Sequence, residues 1–494
     1  MTIMTRLAHP LRRLRFTSAR DLPRETVDSA WRSAHRVAPG AGNFFHREGE
    51  KTRARAGHPP TPSPASRRLP GRLNLFQATM LDWRDLHPYN AVHAVRVMRS
   101  LDAGALAEAI EWQLSNAGLT GLELDRRRCR YGWQGGPAHI ALESVDAGVE
   151  WRTALANAFE RHLNLPFPRN GSLDPFRFFA MRVDEGFVLG IAYDHFIAGG
   201  DSIIALLDAI VARYRGDAPG TPALSLYPKR HARLFVRHPL RFVRGLARLP
   251  KLAASCRRTI RPRFRAIEDG HNGFRFVWLE AARYRALRDA AKRIGVTIND
   301  ALMALLLLAQ SATMPPRDPA KRRHELAVAS IVNLRGEHGV DMRTFGQFLS
   351  SFRVSHPVPP EVTFERLAAD VHRTTTRIKR EKLFLVTLFA MAADRMIGRL
   401  QTPAQRMGIY AKNYPVGVGV SSLNVGRLWQ GEGDNVAPMY MRGVPTGPLS
   451  PIVFAVTTSG DTMCLGISYR TSAVTGDEVD RLGRTLLQRI DSLK

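Results

Sequence analysis

The sequence predicts a two-lobed α/β protein in which each lobe is a mixed β-sheet with flanking helices. Three observations predict it. The chain runs to 494 residues, and single hydrophobic cores stop growing well short of that length, so two bodies are expected. Strand-like and helix-like stretches mix in both halves instead of segregating, which favours helix-covered sheets in each. The clearest local signal, residues 176–194, is a β-hairpin, and that excludes an all-helical bundle.

Composition narrows the class. A hydrophobic share of 44% with 8% aromatics fits a folded protein. No apolar run approaches the roughly 20 residues of a membrane-spanning helix. "ALMALLLLA" (301–309) and "LFLVTLFAMAA" (383–393) are short and charge-flanked, and read as buried core helices. Cys129, Cys256 and Cys464 are far apart, with no CxxC and no histidine at ligand spacing. That predicts neither a disulfide framework nor a metal site, and points to a reducing, cytoplasmic setting.

The net charge of +28 invites a nucleic-acid reading, since phosphate contacts need Lys and Arg. Its distribution argues against one. Much of the excess sits in the first 70 residues and between about 228 and 265, with no zinc-finger spacing and no aromatic nucleic-acid-binding strand. A basic tail and a patch for an anionic membrane surface or acidic partner explain it better.

The elements follow in order. Residues 1–69 are rich in Arg, Pro, Ser and Gly, closing on "GHPPTPSPASRRLPGR", and are expected to form a disordered basic tail. Its acid-free opening, "TRLAHPLRRLRFTSAR", suits a transit sequence, a juxtamembrane arm or a start site placed too far upstream. The N-terminal lobe is expected over 70–222. "AVHAVRVM" (91–98) alternates as a strand, and "LDAGALAEAIEWQLSNAG" is a helix ending at Gly118. "LELDRRRCRYGW" and "AHIALESV" read as strands, and "WRTALANAFERHL" as a helix. In the hairpin, Gly186 follows Asp184 and Glu185, where it can supply a positive φ. After "AGG", Asp201 is expected to cap a helix with Ile203, Ile204, Leu207, Ile210, Val211 and Tyr214 on one face, stopped by Gly216.

Residues 223–270 form a basic bridge. Arg233, Arg237, Arg241, Arg244, Arg248 and Lys251 recur at steps of three and four, and Pro239 and Pro250 interrupt the run. It suits either an interfacial amphipathic helix or a linker helix packed on the lobes. The C-terminal lobe, 271–494, begins with strand "FRFVWL" and helix "AARYRALRDAAKRIG". Then come helix "NDALMALLLLAQSA", strand "ELAVASIVNLR", strand "FLSSFRVSH" and two helices between about 362 and 400. Strands "VGVGVSSLNVG", "SPIVFAVTTSG" and "TMCLGISYR" precede a last helix.

Chemistry concentrates in "YDHFIAGGDSI" (193–203), which has two incompatible readings. His195, at a strand end before a small-residue turn, is placed to accept a proton from an attacking hydroxyl or amine. Alternatively, "GGDSI" resembles the attachment site of a phosphopantetheine arm, which would make Ser202 the functional residue. Carrier domains are small helical bundles, however, and the hairpin before this segment has no place in one. No P-loop, GxSxG or HExxH is present.

"DHFIAGGDS" (194–202) resembles the HHxxxDGxS loop of the chloramphenicol-acetyltransferase-like superfamily of CoA-dependent acyltransferases. That group includes peptide-synthesis condensation domains, plant-type acyltransferases and wax ester synthase/diacylglycerol acyltransferases. "GVTINDALMALLLLA" (295–309) and "IVNLRGE" (331–337) resemble wax-synthase segments, and "VSSLNVG" (420–426) a late segment of the alcohol-acylating members. "LNLFQATMLDWRDLHPYNAVHAVRV" (73–97) resembles their opening, so the likeness runs from about 73 to the C-terminus.

The resemblance implies two such lobes facing each other across a tunnel. An acyl thioester, either acyl-CoA or acyl-phosphopantetheine on a carrier protein, serves as co-substrate, with no bound cofactor and no metal. The acceptor is a small-molecule or lipid alcohol, and His195 is the general base. Asp194, Gly199, Gly200 and Asp201 support the loop, Ser422 and Asn424 serve the oxyanion or substrate, and Asn333 with Arg335 brace the lobe interface. Asn299 and Asp300 are expected to cap a helix. Two departures stand out: Asp194 replaces the first His of the motif, and Gly199 replaces its Asp. The missing Asp is mainly structural in the family, and Asp194 or Asp201 is a candidate substitute. The enzyme so implied is cytoplasmic or peripheral on a membrane; two rival readings follow, a catalytically inactive acyl- or partner-binding member of the same fold and an amide-forming condensation enzyme.

Overall fold

The computed structural model describes residues 69–494 apart from 149, 217–230, 343, 399, 430–437, 449 and 494. The expected tail, 1–69, and the first residues of the bridge therefore lie almost wholly outside the described residues.

In chain order the strands are β1 (Leu69–Arg72), β2 (Asn90–Val97), β3 (Leu122–Asp125), β4 (Arg130–Trp133), β5 (Leu142–Val145), β6 (Gly171–Leu173), β7 (Phe176–Val183) and β8 (Gly186–Asp194). They continue as β9 (Asn272–Leu279), β10 (Leu326–Asn333), β11 (Leu349–His356), β12 (Val418–Asn424), β13 (Tyr440–Gly443), β14 (Ile452–Ser459) and β15 (Thr462–Arg470). Two large mixed sheets result. The first has the order β13-β2-β8-β7-β5 and the second β11-β10-β12-β14-β15-β9, with a small sheet β1-β4-β3-β6 beside the first. The two lobes expected from sequence are present, but one strand crosses between them. β13, from the second half of the chain, runs antiparallel to β2 and sets Arg442 opposite His93.

The β7–β8 hairpin forms as read, pairing Val183 with Gly186. Gly186 has φ 100°, and a Cβ there would come within 2.1 Å of the Val97 carbonyl oxygen. Glycine is thus required by both conformation and space. "LELDRRRCRYGW" is itself a hairpin, β3–β4, in which Cys129 takes φ 51°. The helix after "AGG" spans Gly200–Arg215 and ends at Gly216 with φ 84°. Its N-cap is Gly199, which has no side chain to cap with, and Asp201 lies two residues further in, bonded to Asn333. Helix Ile298–Thr313 is the spine of the second lobe. Every residue from Asp300 to Gln310 is buried, and it packs against Phe364–Arg380 and Gly476–Asp491. An all-round apolar helix is stable only inside such a layer.

The bridge folds as three short helices, Ala232–Arg237, Pro239–Leu246 and Leu249–Arg258. Both prolines fall in first turns, where a missing N–H costs nothing. Helix Pro403–Asn413 and strand β13 had no clear signal in the sequence. No single described helix is long and apolar enough to cross a membrane. Ala281–Ile294 and Ile298–Thr313 meet that test only jointly, and they are bent by 104°.

Candidate active site

His195 lies one residue past the end of β8, its backbone N–H donating to the Tyr89 carbonyl at 3.2 Å. The residue is 8% exposed and lines a cavity of about 620 Å³ between the two large sheets. Tyr89, Tyr193, Trp83, Met80 and Phe76 wall it on one side, and Val332, Leu423, Val444 and Val453 on the other. Burial, and then the positive charge of Arg442, lower the His195 pKa to about 4; the Ala198 backbone opposes them weakly. The imidazole is therefore neutral at neutral pH. Its Nδ1 is buried without a well-formed hydrogen bond, leaving Nε2 as the nitrogen open to the cavity. A proton on Nδ1, favoured by the Ala198 backbone, makes Nε2 the acceptor.

The loop after His195 is held from three directions. The Gln347 carboxamide nitrogen donates to the carbonyls of His195 (2.8 Å) and Ala198 (3.0 Å). Asn74 in turn fixes Gln347 through its backbone carbonyl, and the Gly199 N–H donates to Gly346. Asp194 is ion-paired with Arg84, both buried, and Arg84 also donates to the Arg169 carbonyl. Burial pushes Asp194 up to about 6 against the pull of Arg84. The third anchor is Asp201, which accepts from Asn333 at 2.6 Å and pairs with Arg335 at 3.4 Å. Arg335 also donates to Ser202 Oγ at 2.8 Å, and that oxygen accepts from the Gly346 N–H at 3.1 Å. Asp201 is thus a loop anchor rather than the helix cap expected from sequence, and Asn333 and Arg335 meet it from the other lobe. Asp194 and Asp201 both sit in buried ion pairs beside a loop that lacks the motif's own carboxylate. At Gly199 itself a Cβ would lie 3.2 Å from Gln347 Oε1, so Gln347 fills the space beside the missing side chain.

Ser202 is fully buried in this network, which leaves its hydroxyl inaccessible to a modifying enzyme. Gly200 borders the cavity; a Cβ there would meet Leu423 at 2.5 Å, Arg442 Nη1 at 3.2 Å and His93 Cε1 at 3.3 Å.

On the opposite wall, Ser422 lines the cavity and donates to Asn299 Oδ1 at 2.7 Å. Asn299 is a cavity residue, contrary to the capping role expected of it. Thr297 is the cap, accepting from the Asp300 N–H. Burial alone would raise the Asp300 carboxyl, but hydrogen bonds from His372, Thr297 and Thr375 outweigh it and hold it low. Asn424 ends β12, is exposed and does not line the cavity.

Several residues here carried no motif. Gln347 and Arg84 act through tertiary contacts. His93 and Arg442 had a weak signal, each a polar residue in an apolar strand ("AVHAV", "YMRGV"). His93 Nδ1 bonds the Tyr440 hydroxyl at 2.8 Å, and its Nε2 lies 3.3 Å from the Tyr193 hydroxyl. Burial and the charges of Arg442 and His195 keep His93 well below the usual histidine range. Exposed Lys379 and Arg427 stand at the cavity rim.

No protein-family model and no curated protein matches the sequence. Solved structures match the fold. The first condensation domain of the CDA synthetase is 15% identical, with TM-score 0.60 over 85% of this chain and 96% of that one. The EpoB NRPS cyclization-docking bidomain from Sorangium cellulosum is 13% identical, with TM-score 0.64 over 88% and 86%. The epimerization domain from the third module of tyrocidine synthetase B is 12% identical, with TM-score 0.57 over 87% and 98%. The chain thus has the two-lobed chloramphenicol-acetyltransferase-like fold that condensation and epimerization domains share.

Proposed function

We propose that the protein is an acyltransferase that moves an acyl group from a CoA or carrier-protein thioester to an acceptor hydroxyl. The observation that carries this reading is His195, a neutral imidazole opening onto a closed-in cavity between the lobes of a condensation-type fold. In the proposed reaction, His195 Nε2 takes the proton of the acceptor as its oxygen attacks the thioester carbonyl. The tetrahedral intermediate collapses with cleavage of the C–S bond, and the imidazolium returns the proton to the leaving thiolate. Asn299, oriented by Ser422 and among the described residues otherwise bonded only to the Met303 sulfur, is the amide best situated to donate to the oxyanion. The rim cations Lys379 and Arg427 suit the phosphates of the thioester arm. Gly199 does not argue for an inactive chain, because Asp201 and Gln347 hold the loop in its stead.

Thiol release from acyl-CoA and acyl-carrier substrates tests the reading. His195→Ala is expected to lower turnover by at least about 10²-fold with the melting temperature preserved. The wild-type kcat/KM should keep its acid limb near pH 4, the His195 value, well below that of a free imidazole. Near-normal rates in the variant would remove His195 as the base, and an amide product would favour the condensation-enzyme alternative.

We infer also that the bridge faces an anionic membrane. Val236, Leu240 and Val243 of the bridge, with Met396 and Leu400, are 61% to 89% exposed. The two helices that carry most of them pack together through Phe242 and Phe389, rings 5.6 Å apart. Exposed Arg233, Arg241 and Arg244 have no carboxylate partner among the described residues. Apolar side chains flanked by unpaired cations suit an anionic lipid surface.

A further inference from the structure

Arg442 is a buried cation with no described carboxylate within ion-pairing distance. It is 1% exposed. Its Nε donates to Thr457 Oγ1 at 3.0 Å, and its Nη2 to the carbonyls of Ser421 (2.6 Å) and Val456 (2.7 Å). Those three bonds tie β13, which belongs to the first sheet, to β12 and β14 of the second. A guanidinium has five N–H groups. The two on Nη1 have no partner among the described residues, and Arg442 lines the cavity that holds His195.

The backbone beside Nη1 has the same character. Gly200 and Asp201 open the 16-residue helix Gly200–Arg215, whose N-cap has no side-chain bond. The Ser202 and Ile203 N–H groups donate to the Gly199 carbonyl, but those of Gly200 and Asp201 have no partner among the described residues, and the helix dipole makes that end attractive to anions. The absence of a Cβ at Gly200 is what lets Nη1 approach the helix start. The negative charge in the first turn, Asp201, is turned away onto Asn333 and Arg335. His93, Tyr193 and Tyr440 are kept neutral by burial, so Arg442 is the group there left to be neutralised.

We propose that Arg442 Nη1 and the start of helix Gly200–Arg215 form a subsite for a carboxylate carried by one of the two reacting molecules. The proposal deepens the acyl-transfer reading and rests on it for the location of the reacting centre. A protein that buries an unpaired guanidinium beside its base gains from a substrate that supplies the counter-charge, since an unpaired buried charge is unfavourable. Apolar Leu423, Val444 and Val453 line the same cavity, and an apolar wall limits screening by water and strengthens the pairing. A bound carboxylate also relieves His195 of the Arg442 field that lowers it, making it a stronger base when substrate is present.

The carboxylate can arrive on the acceptor or on the acyl group, and paired probes separate the two. The acceptor arm compares 3-hydroxybutyrate with its methyl ester, using butyryl-CoA as donor. The donor arm compares succinyl-CoA with butyryl-CoA, using the methyl ester as acceptor. Each arm is read both as thiol release and as binding by calorimetry. In one arm the carboxylate probe should be favoured by at least about tenfold, as a charge-assisted hydrogen bond implies. Arg442→Gln should bring that ratio close to one, and Arg442→Lys should restore part of it. If Arg442→Gln unfolds, Gly200→Ala, which crowds Nη1, should erode the ratio in its place. Carboxylate binding that persists in His195→Ala but disappears in Arg442→Gln supports the subsite whatever His195 does. Absence of discrimination in both arms overturns it, as does an Arg442→Gln variant that keeps the ratio. A loss shared equally by charged and neutral probes overturns it too, since that would make Arg442 an oxyanion or purely structural group.

Discussion

Asp201 and Arg335 are both nearly inaccessible and belong to different lobes, so their pairing has large energetic stakes. Removing one member of a buried pair strands the other charge and costs about 3–5 kcal/mol, whereas removing both together costs less. Arg335→Met should therefore destabilise the protein by about that amount, because Asp201 keeps only Asn333. The double variant Arg335→Met/Asp201→Asn should lose clearly less than the sum of the two single losses. Urea unfolding of the four proteins measures the coupling, and simple additivity would show that the pair does not hold the loop. At this scale the sequence was informative where chemistry is local. His195 was legible because a strand end, a small-residue turn and a helix start adjoin it in the chain. Gln347 and Arg84 were not, and Arg442 only weakly, because each reaches the site from a segment far away in sequence, with its partners decided by packing.

The bridge shows how an element can be read correctly in period and incompletely in role. Steps of three and four suited a helix, and the prolines begin new helices rather than merely interrupting one. Part of the segment is anchored: Leu234 is 2% exposed, and a Cβ on Gly245 would come within 2.6 Å of Val386. The same helices leave Val236, Leu240 and Val243 uncovered. One face of the element is thus packed on the lobe as a linker would be, and the other is left exposed. If the exposed face meets anionic lipid, each arginine near the surface contributes about 1 kcal/mol. Changing Arg233, Arg241 and Arg244 together to Gln should then weaken partitioning onto phosphatidylserine vesicles by about 10²-fold at low salt. Vesicle co-sedimentation reads this directly. Wild-type protein that stays in the supernatant at low salt would refute the surface.

At the scale of the whole molecule, burial of histidines sets the response to acid. His87 and His231 are lowered to about 3 and His162 and His195 to about 4, while His93 lies well below its usual value; burial is the first cause in each. The unfolded chain takes up these protons near pH 6.5, and the folded chain does not. Stability should therefore fall as pH falls from about 6.5 toward 4, by up to about 1.4 kcal/mol per pH unit for each group. Burial also raises Asp82, Asp194 and Asp394. The folded state protonates these first, which offsets part of the loss below about pH 6. Five histidines against three carboxyls leave the net sign negative. The melting temperature should drop by many degrees between pH 7.5 and 5, measured at raised salt to screen the repulsion of a chain already at +28. A flat or rising profile would contradict this account of the buried imidazoles.

The sequence by itself determined the two-sheet α/β plan, the hairpin with its obligatory glycine, the helix that follows and the position of His195. These depend on alternation, helical period and turn chemistry, all of which act between residues close together in the chain. It also pointed to Asp194 and Asp201 as carboxylates beside the loop, without deciding their partners. Only the tertiary structure decided that Asp201 pairs with Arg335 instead of capping the helix, and that Asn299 turns into the cavity while Asn424 stays outside. Only the tertiary structure moved β13 from the second half of the chain onto the first sheet, carrying Arg442 to the His195 loop. Such outcomes depend on which buried polar groups find partners across lobes. That choice is made by the whole packed molecule, because an unpaired polar group costs nothing to a short segment in water and a great deal inside a core.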